Sequence, residues 1–475
     1  YTGLPIHFPT RSDLFRAMSI SERMSASELR ASIGLSAIFG LRMLGMFAIL
    51  PVFALYAEHL PGGDNLTLVG IAIGAYGLTQ ALLQIPFGWW SDRYGRRPVI
   101  YTGLAIFAAG SFIAASGHHI YVVILGRILQ GAGAISAAVI ALAADLTRDE
   151  HRTKTMAMIG STVGAAFALS LIAGPALDRV IGVPGIFVLT GILAMAAMWV
   201  VYAVVPAGAA EAMHEERRAD AARFADVLKD PQLLRLNYGI LALHAALMAL
   251  FIAIPFSLRE AGLALAEHWQ AYLPTVLGSF VLMLPPLLWA KKATQVRALF
   301  VGSVAVLLGA HLAMPWLMGS IGGIALFLLL FFTPFNVLEA CLPSLVSRIA
   351  PPQAKGTAIG VFSSVQFFGI FLGAAVGGAL YAQWGITGIV IFNAVLIVIW
   401  LIVSAGMKVP ATLSTRVYTV SESAARRTEA LAVRLLALSG VHEARVVAGE
   451  GRAYLKVDSA GFDEENVAKL IAGEF

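Results

Sequence analysis

Charge is what this chain lacks. Only 13% of its 475 residues are charged, whereas 59% are hydrophobic, and the mean hydropathy is +0.80. Soluble domains run about 45–50% apolar and about 25% charged. A soluble fold of this length could not hide so much apolar surface, because surface-to-volume scaling limits what goes inside. Lipid must therefore be part of the solvent, and the chain is an integral membrane protein. Cysteine is nearly absent as well: Cys341 is the single one and lies in an apolar run. One thiol excludes an intramolecular disulfide, and no Cys/His cluster has zinc spacing, so Cys341 reads as a small buried hydrophobe. No GxxxxGK[ST] phosphate loop is present, so ATP drive is not indicated. Paired carboxylates, His-Glu-x-x-His and a nucleophile–base pair are also missing, which leaves an intramembrane enzyme without support.

What is present is a series of long apolar runs. A helix needs about 20 apolar residues to cross a bilayer. Twelve segments qualify: 31–58, 66–89, 98–117, 120–146, 154–179, 184–205, 233–258, 268–290, 296–316, 321–346, 355–381 and 385–407 (spans 1–12). Backbone groups in lipid must be satisfied internally, so these are helices, and Pro51, Pro175, Pro285, Pro286 and Pro334 are tolerated where neighbours reseat the freed carbonyls. The longest internal connection, 206–232, is polar and divides the spans into bundles 31–205 and 233–407. The loops after the even-numbered spans carry fifteen Lys and Arg, whereas those after the odd-numbered spans carry Arg179 and Arg259 alone. That bias predicts cytoplasmic termini, with 1–30 as a polar N-terminal tail. It also explains the net charge of +5 and the pI near 9.3 without nucleic acid.

Beyond Met407 the composition changes. Residues 408–415 read as a linker and 416–475 as a soluble domain. RVYTV suits a strand. SESAARRTEALAVRLLAL suits a helix, N-capped by Ser421 or Ser423, with a stripe of Leu431, Leu435, Leu436 and Leu438, and ended by Gly440. VHEARVVA and RAYLKVDS alternate around AGEG as a hairpin, and DEENVAKLIA starts a second helix. The order β-α-β-β-α lacks only the last strand of a ferredoxin-like unit. With no Cys pair and a lone His442, this domain suits self-association or a regulatory ligand better than metal delivery.

The turn between spans 2 and 3, GWWSDRYGRRP, concentrates Asp92, Arg93, Arg96 and Arg97 between Gly88 and Gly95. A positive-inside loop explains the Arg but not the acid, which contributes little to topology. The glycines suit close helix approach or positive φ. The arrangement resembles motif A of the major facilitator superfamily, and twelve spans in two halves agree with that resemblance over about 31–407. It implies an interdomain latch in which Asp92 faces the start of span 11, around Gln353 to Ala358, where a carboxylate gains from the helix dipole. Arg96 would pair with an acid at the foot of span 4, the position of Asp145. Protonating an Asp would then loosen the outward-facing state. The corresponding loop after span 8, WAKKATQVR, keeps basic charge but lacks the Asp and the Gly, so the second copy is degenerate.

In span 4, Arg127, Gln130, Gly131 and Gly133 resemble motif B, which the family ties to proton transfer. The alternative is that Arg127 pairs with carbonyls or braces span 1. In span 5, Gly160, Gly164, Gly174 and Pro175 resemble motif C, the signature of drug–proton antiporters, read physically as tight packing and a Pro bend. Leu177-Asp178 replaces the small pair that normally follows. Spans 1, 4, 7 and 10 line the central cavity in this superfamily, and Arg42, Arg127, His244 and Glu339 fall one on each. Glu339 is the carboxylate well inside the second half, expected to be desolvated and to take up a proton or cation, with Asn336 one turn away. His311 in span 9 suits a hydrogen-bonded core position.

Tyr56, Tyr76, Gln80, Gln84, Tyr238 and Gln366 are too few polar groups for a sugar site, so hydrophobic or amphipathic cargo is the better expectation. Motifs and domain order together resemble the YajR-type subgroup, grouped with drug–proton antiporters. The resemblance implies alternating-access export driven by proton influx in a bacterial inner membrane, with no cofactor beyond the coupling proton. Two alternatives stand beside it: a proton symporter or facilitator of a small polar solute, and a non-transporting membrane sensor that signals through residues 416–475.

Overall fold

The computed structural model describes residues 24–206, 227–290, 292–351, 354–407, 413–420, 428–447, 452–458, 462 and 464–472. Ten of its helices are long and apolar enough to cross a membrane. Two of them, Lys154–Ala203 and Lys355–Ala405, run for 50 and 51 residues, far beyond the need of one crossing. Each contains one glycine with positive φ, Gly182 (66°) and Gly385 (57°). Side-chain contacts show that the chain reverses there. Ser170 and Thr190 donate to the carbonyls of adjacent Leu44 and Gly45, yet along one straight helix they would stand about 30 Å apart. Likewise Gly373 packs on Ala245 while Asn393 reaches the carbonyl of Ala246. Twelve crossings result, in an all-α region of two six-helix bundles.

Span 1 starts at Ala26, earlier than the sequence expectation of residue 31, because Ser25 and Glu28 form a reciprocal capping box there. It breaks between Ala48 and Leu50, just before Pro51, which supplies no amide hydrogen. Span 4 breaks between Ala132 and Ser136. There Gly133 lies so close to span 3 that a Cβ would stand 2.3 Å from the Gly103 carbonyl oxygen.

The Lys- and Arg-bearing loops define a basic face of the molecule; the opposite side is the far face. On the basic face four arginines reveal an internal repeat. Arg30 and Arg97, at the starts of spans 1 and 3, donate to the carbonyls of Ala203 and Val205 at the end of span 6, each at 2.6 Å. Arg235 and Arg297, at the starts of spans 7 and 9, donate to Gly406 and Ala405 at the end of span 12, again at 2.6 Å. Cations at helix C-termini satisfy orphan carbonyls and complement the dipole. Spans 1, 3 and 6 thus correspond to 7, 9 and 12, and the second-half loop that lost its Asp kept its capping Arg.

The bundles meet along their far halves. A Cβ at Gly70, Gly74 or Gly77 of span 2 would stand 2.1 Å, 3.0 Å and 2.6 Å from backbone atoms of Ala374, Phe371 and Phe367 in span 11. Phe167 of span 5 makes edge contacts with Phe251 and Phe332 of spans 7 and 10. On the basic half, by contrast, Gly160 and Gly164 of span 5 and Gly356 and Gly360 of span 11 have nothing within 4 Å of a Cβ position. The molecule is therefore sealed at the far face and parted at the basic face.

The C-terminal domain is a three-stranded antiparallel sheet in the order β1-β3-β2, built from β1 (Leu413–Thr419), β2 (Val441–Val447) and β3 (Arg452–Asp458). Helices Thr428–Leu436 and Glu464–Ala472 pack against it, giving the α+β ferredoxin-like order. The expected linker 408–415 is shorter, since β1 already begins at Leu413. Leu431 and Leu435 are buried as the stripe predicts, but Leu436 is exposed, one residue round from the core face. Ser421, Ser423 and the AGEG turn lie outside the described residues.

Candidate functional site

The charged turn folds as a clamp inside the first bundle. Gly95 takes φ of +93° to end span 2 and start span 3, which places Arg96 over the ends of spans 2 and 4. Its guanidinium binds Asp92, Ser91 Oγ (2.7 Å) and Asp145 Oδ2 (3.2 Å), and its side chain is only 10% exposed. The pairing with Asp145 is as the family resemblance implies. Among the described residues the hydrogen-bond partner of Asp92 is Arg96, within the first bundle. Gln353, where the resemblance places the start of its interdomain contact, lies outside the described residues. Arg93 and Arg97 also stand apart from the clamp. Arg93 stacks on the rings of Trp89 and Tyr94, and Arg97 caps span 6. Gly88 approaches Ala137 of span 4, where a Cβ would fit at 3.4 Å. A second pair, Glu28 with Arg148 at 3.0 Å, ties the start of span 1 to the loop after span 4; sequence reasoning missed it because Glu28 was assigned to the tail.

Motif C divides in two. Gly174 packs as expected, with a Cβ position 2.4 Å from the Ala48 carbonyl oxygen and 2.8 Å from Pro51. Gly160 and Gly164, by contrast, have nothing within 4 Å of a Cβ position. Pro175 lies within the continuous helix.

The four membrane charges do not form one cluster. Arg42 and Arg127 are each 1% exposed, inside the first bundle. Arg127 donates to the carbonyls of Ala72 (3.2 Å) and Ile73 (2.9 Å) and to Gln130 (2.8 Å), with Tyr76 beneath it at 4.3 Å. It braces span 2, where the alternative reading had named span 1. Arg42 donates to Gln80 (2.8 Å) and Ser136 (3.5 Å) and lies over Phe107. Carbonyls, amides and ring faces thus hold these two cations.

His244 and Glu339 do meet, in the second bundle. Glu339 Oε2 lies 3.8 Å from His244 Nε2, and the Gln366 amide nitrogen sits between them, 2.8 Å from His244 Nε2 and 3.3 Å from Glu339 Oε1. The Glu339 side chain as a whole is 40% exposed, but its Oε2 is buried, so the expected desolvation applies to one of its two oxygens. Asn336 does not share the site. It points to span 8 and donates to Ser279 Oγ at 3.0 Å, because three residues fall about 60° short of a full helical turn and aim its side chain into the neighbouring groove. His311 bonds the Leu307 carbonyl between Phe327 and Phe331, a core position.

At the far face, just past the end of span 1, Glu58 pairs with Arg259 of span 7 at 2.5 and 3.0 Å. This ion pair bridges the bundles. Its sequence signal is the rarity of basic charge there, since Arg259 is one of two basic residues in the far-face loops. The Arg259 guanidinium holds the Glu58 carboxyl below the usual carboxylate range. The pair's contribution is therefore complete above the ordinary carboxylate pKa, about 4.3, and is lost as pH falls through the lowered value. Both side chains are partly exposed, which limits the pair to about 0.5 kcal/mol. We expect Glu58→Gln to lower the ratio of sealed to open far face about twofold at neutral pH. Acidifying the parent below the lowered value should reproduce that loss in spin-label distances across the far face.

Comparison with known proteins decides the family. The profile of the Major Facilitator Superfamily matches residues 35–374, and that of the YajR YAM domain matches 421–471. This chain belongs to the major facilitator superfamily. It is 42% identical to the inner membrane transport protein YajR of Escherichia coli K12, over 92% of this chain and 96% of that protein. Multidrug resistance protein 2 of Bacillus subtilis is 27% identical over 73% of this chain and 87% of its own length. The class D tetracycline resistance protein of Salmonella ordonez is 36% identical, over only 29% and 35%. In fold, the chain superposes on a bacterial homologue of the lysosomal transporter Spinster, solved inward-facing and unoccupied, with a TM-score of 0.62 at 14% identity over 81% of this chain and 98% of that one. Members of this superfamily are membrane transporters, not enzymes.

Proposed function

We propose that this chain is a secondary active transporter that exports hydrophobic or amphipathic small molecules in exchange for protons, by alternating access of two bundles. The observation that carries this reading is the His244–Glu339–Gln366 cluster. It brings a carboxylate and an imidazole together inside the second bundle, partly open at the parted face and beside the seam that seals the other. A carboxylate that meets water in one conformation and is enclosed in the next is suited to carry a proton across. Relatives named for multidrug and tetracycline resistance favour apolar cargo. The basic face is cytoplasmic by its charge bias, so the conformation described is the one open to the cytoplasm. Residues 416–475 act as an accessory domain through self-association or a regulatory ligand.

The test is internal pH in proteoliposomes challenged with a panel of lipophilic cations and neutral drugs. Substrate-dependent proton movement, lost in Glu339→Gln, is the expected result. Substrate flux without proton movement would replace antiport by facilitated passage. Transport that vanishes when 416–475 is deleted would return that domain to the centre of the function.

A further inference from the structure

The amide of Gln366 holds a position that the proton-site reading leaves unused. His244 Nδ1 lies 3.2 Å from the Ile240 carbonyl, an acceptor, so that nitrogen carries the hydrogen. Nε2 is then a lone pair, and it accepts from the Gln366 amide nitrogen at 2.8 Å. The second amide hydrogen is directed to Glu339 Oε1 at 3.3 Å. Glu339 Oε2 is buried without a hydrogen-bond partner among the described residues. Both Gln366 contacts require a neutral imidazole nitrogen on one side and an acceptor oxygen of Glu339 on the other. A proton placed on Nε2 sets two donors face to face. The amide must then turn its oxygen to the ring, and Glu339 Oε1 loses its donor. A proton on Oε1 displaces the amide contact, and one on the unpartnered Oε2 leaves Oε1 a neutral carbonyl that accepts more weakly. Either arrival breaks or weakens at least one Gln366 contact.

Gln366 also sits at a mechanical junction. The next residue, Phe367, presents its carbonyl to Gly77 of span 2, and Ile370, Phe371 and Ala374 continue that seam. On its other side span 11 is locked to span 7, where a Cβ at Gly369 or Gly373 would stand 2.6 Å and 2.1 Å from the carbonyl oxygens of Leu241 and Ala245. Other charged groups on the three helices, Arg235, Arg259, Glu260, Arg348 and Lys355, lie at helix ends. The charged group facing His244 is Glu339.

We propose that Gln366 is a positioning residue that reads the protonation state of the His244–Glu339 pair through its amide and transmits it along span 11 to the far-face seam. The proposal rests on that pair being the proton site, but not on any particular cargo.

The experiment measures distances between spin labels on Asp64→Cys and Glu267→Cys, one exposed far-face site on each bundle, in a Cys341→Ser background across a pH series, without substrate. The parent should show two distance populations that exchange with one main pH midpoint, apart from the roughly twofold acid change expected of the Glu58–Arg259 pair. Gln366→Met, close in size but without donor or acceptor, should move that midpoint by about one unit or more, or abolish the exchange. Gln366→Asn, which keeps the amide but withdraws it by one methylene, should do the same and serves if Gln366→Met fails to fold. In Glu339→Gln, adding Gln366→Met should change nothing further, as expected of residues acting as one unit. A Gln366→Met protein that titrates at the parent's midpoint and amplitude overturns the proposal, as does a parent whose distances ignore pH. Because no cargo is involved, a failed liposome panel leaves this result standing, and proton-coupled transport that is indifferent to Gln366 sinks the inference alone.

Discussion

Gly70→Leu should trap the transporter with its far face open and abolish net transport. A Cβ there would lie 2.1 Å from the carbonyl oxygen of Ala374 and 3.2 Å from the Cα of Gly378. Backbone cannot yield as a side-chain tip can, so the two bundles must separate. Overpacking of this kind costs about 3 kcal/mol, about a hundredfold in the ratio of the two states. The fold itself should survive, because the clash exists only where span 2 meets span 11 in the sealed state. Distances between labels at positions 64 and 267 should lengthen at every pH. Gly164→Leu is the informative contrast. Nothing lies within 4 Å of its Cβ position here, so the parted basic face should be undisturbed. Its cost should fall on closure of that face, with transport lost by the opposite trap. If Gly70→Leu left far-face distances as in the parent, the glycine seam would not be the seal.

Arg96→Met should destabilise the first bundle by about 1–2 kcal/mol, less than stripping a fully buried ion pair, because the side chains of Asp92 and Asp145 remain 40% and 20% exposed. The loss leaves Asp92 and Asp145 facing each other without the cation that both bind. Arg93→Met, in the same turn, should cost about 0.5 kcal/mol, since that guanidinium only stacks on exposed Trp89 and Tyr94. Thermal unfolding in detergent, with ligand-free protein, separates the two. Equal costs would contradict the assignment of Arg96 as the buried member.

That contrast marks the limit of what the sequence carried. Long apolar runs fixed the number of crossings and the charge bias fixed their alternation, because both follow from one-dimensional rules about lipid. Gly95 was legible as a turn, and the pairing of Arg96 with Asp145 followed from resemblance. Which of three arginines is buried was not legible, for it depends on how span 3 rotates about Gly95. Asn336 and Glu339 are three residues apart, yet they enter different grooves. Arg42 and Arg127 were grouped with His244 and Glu339 because each occupies a comparable span; inside the first bundle they turn to carbonyls and rings instead. The Glu58–Arg259 pair joins residues 201 apart, and no local pattern announces such a contact. The glycines of motif C show a further limit. A sequence does not say which conformation its packing motifs serve, and Gly160 and Gly164 are idle in the one described here.

The central claim is that Glu339, with His244, carries the proton that drives export. The most direct measurement compares parent and Glu339→Gln in the same proteoliposomes, under two regimes. One is substrate exchange with no pH gradient; the other is accumulation against a substrate gradient driven by an imposed pH gradient. Loss of driven accumulation, with exchange retained at a comparable rate, is the predicted result. Accumulation that persists at the parent's level in Glu339→Gln would contradict it.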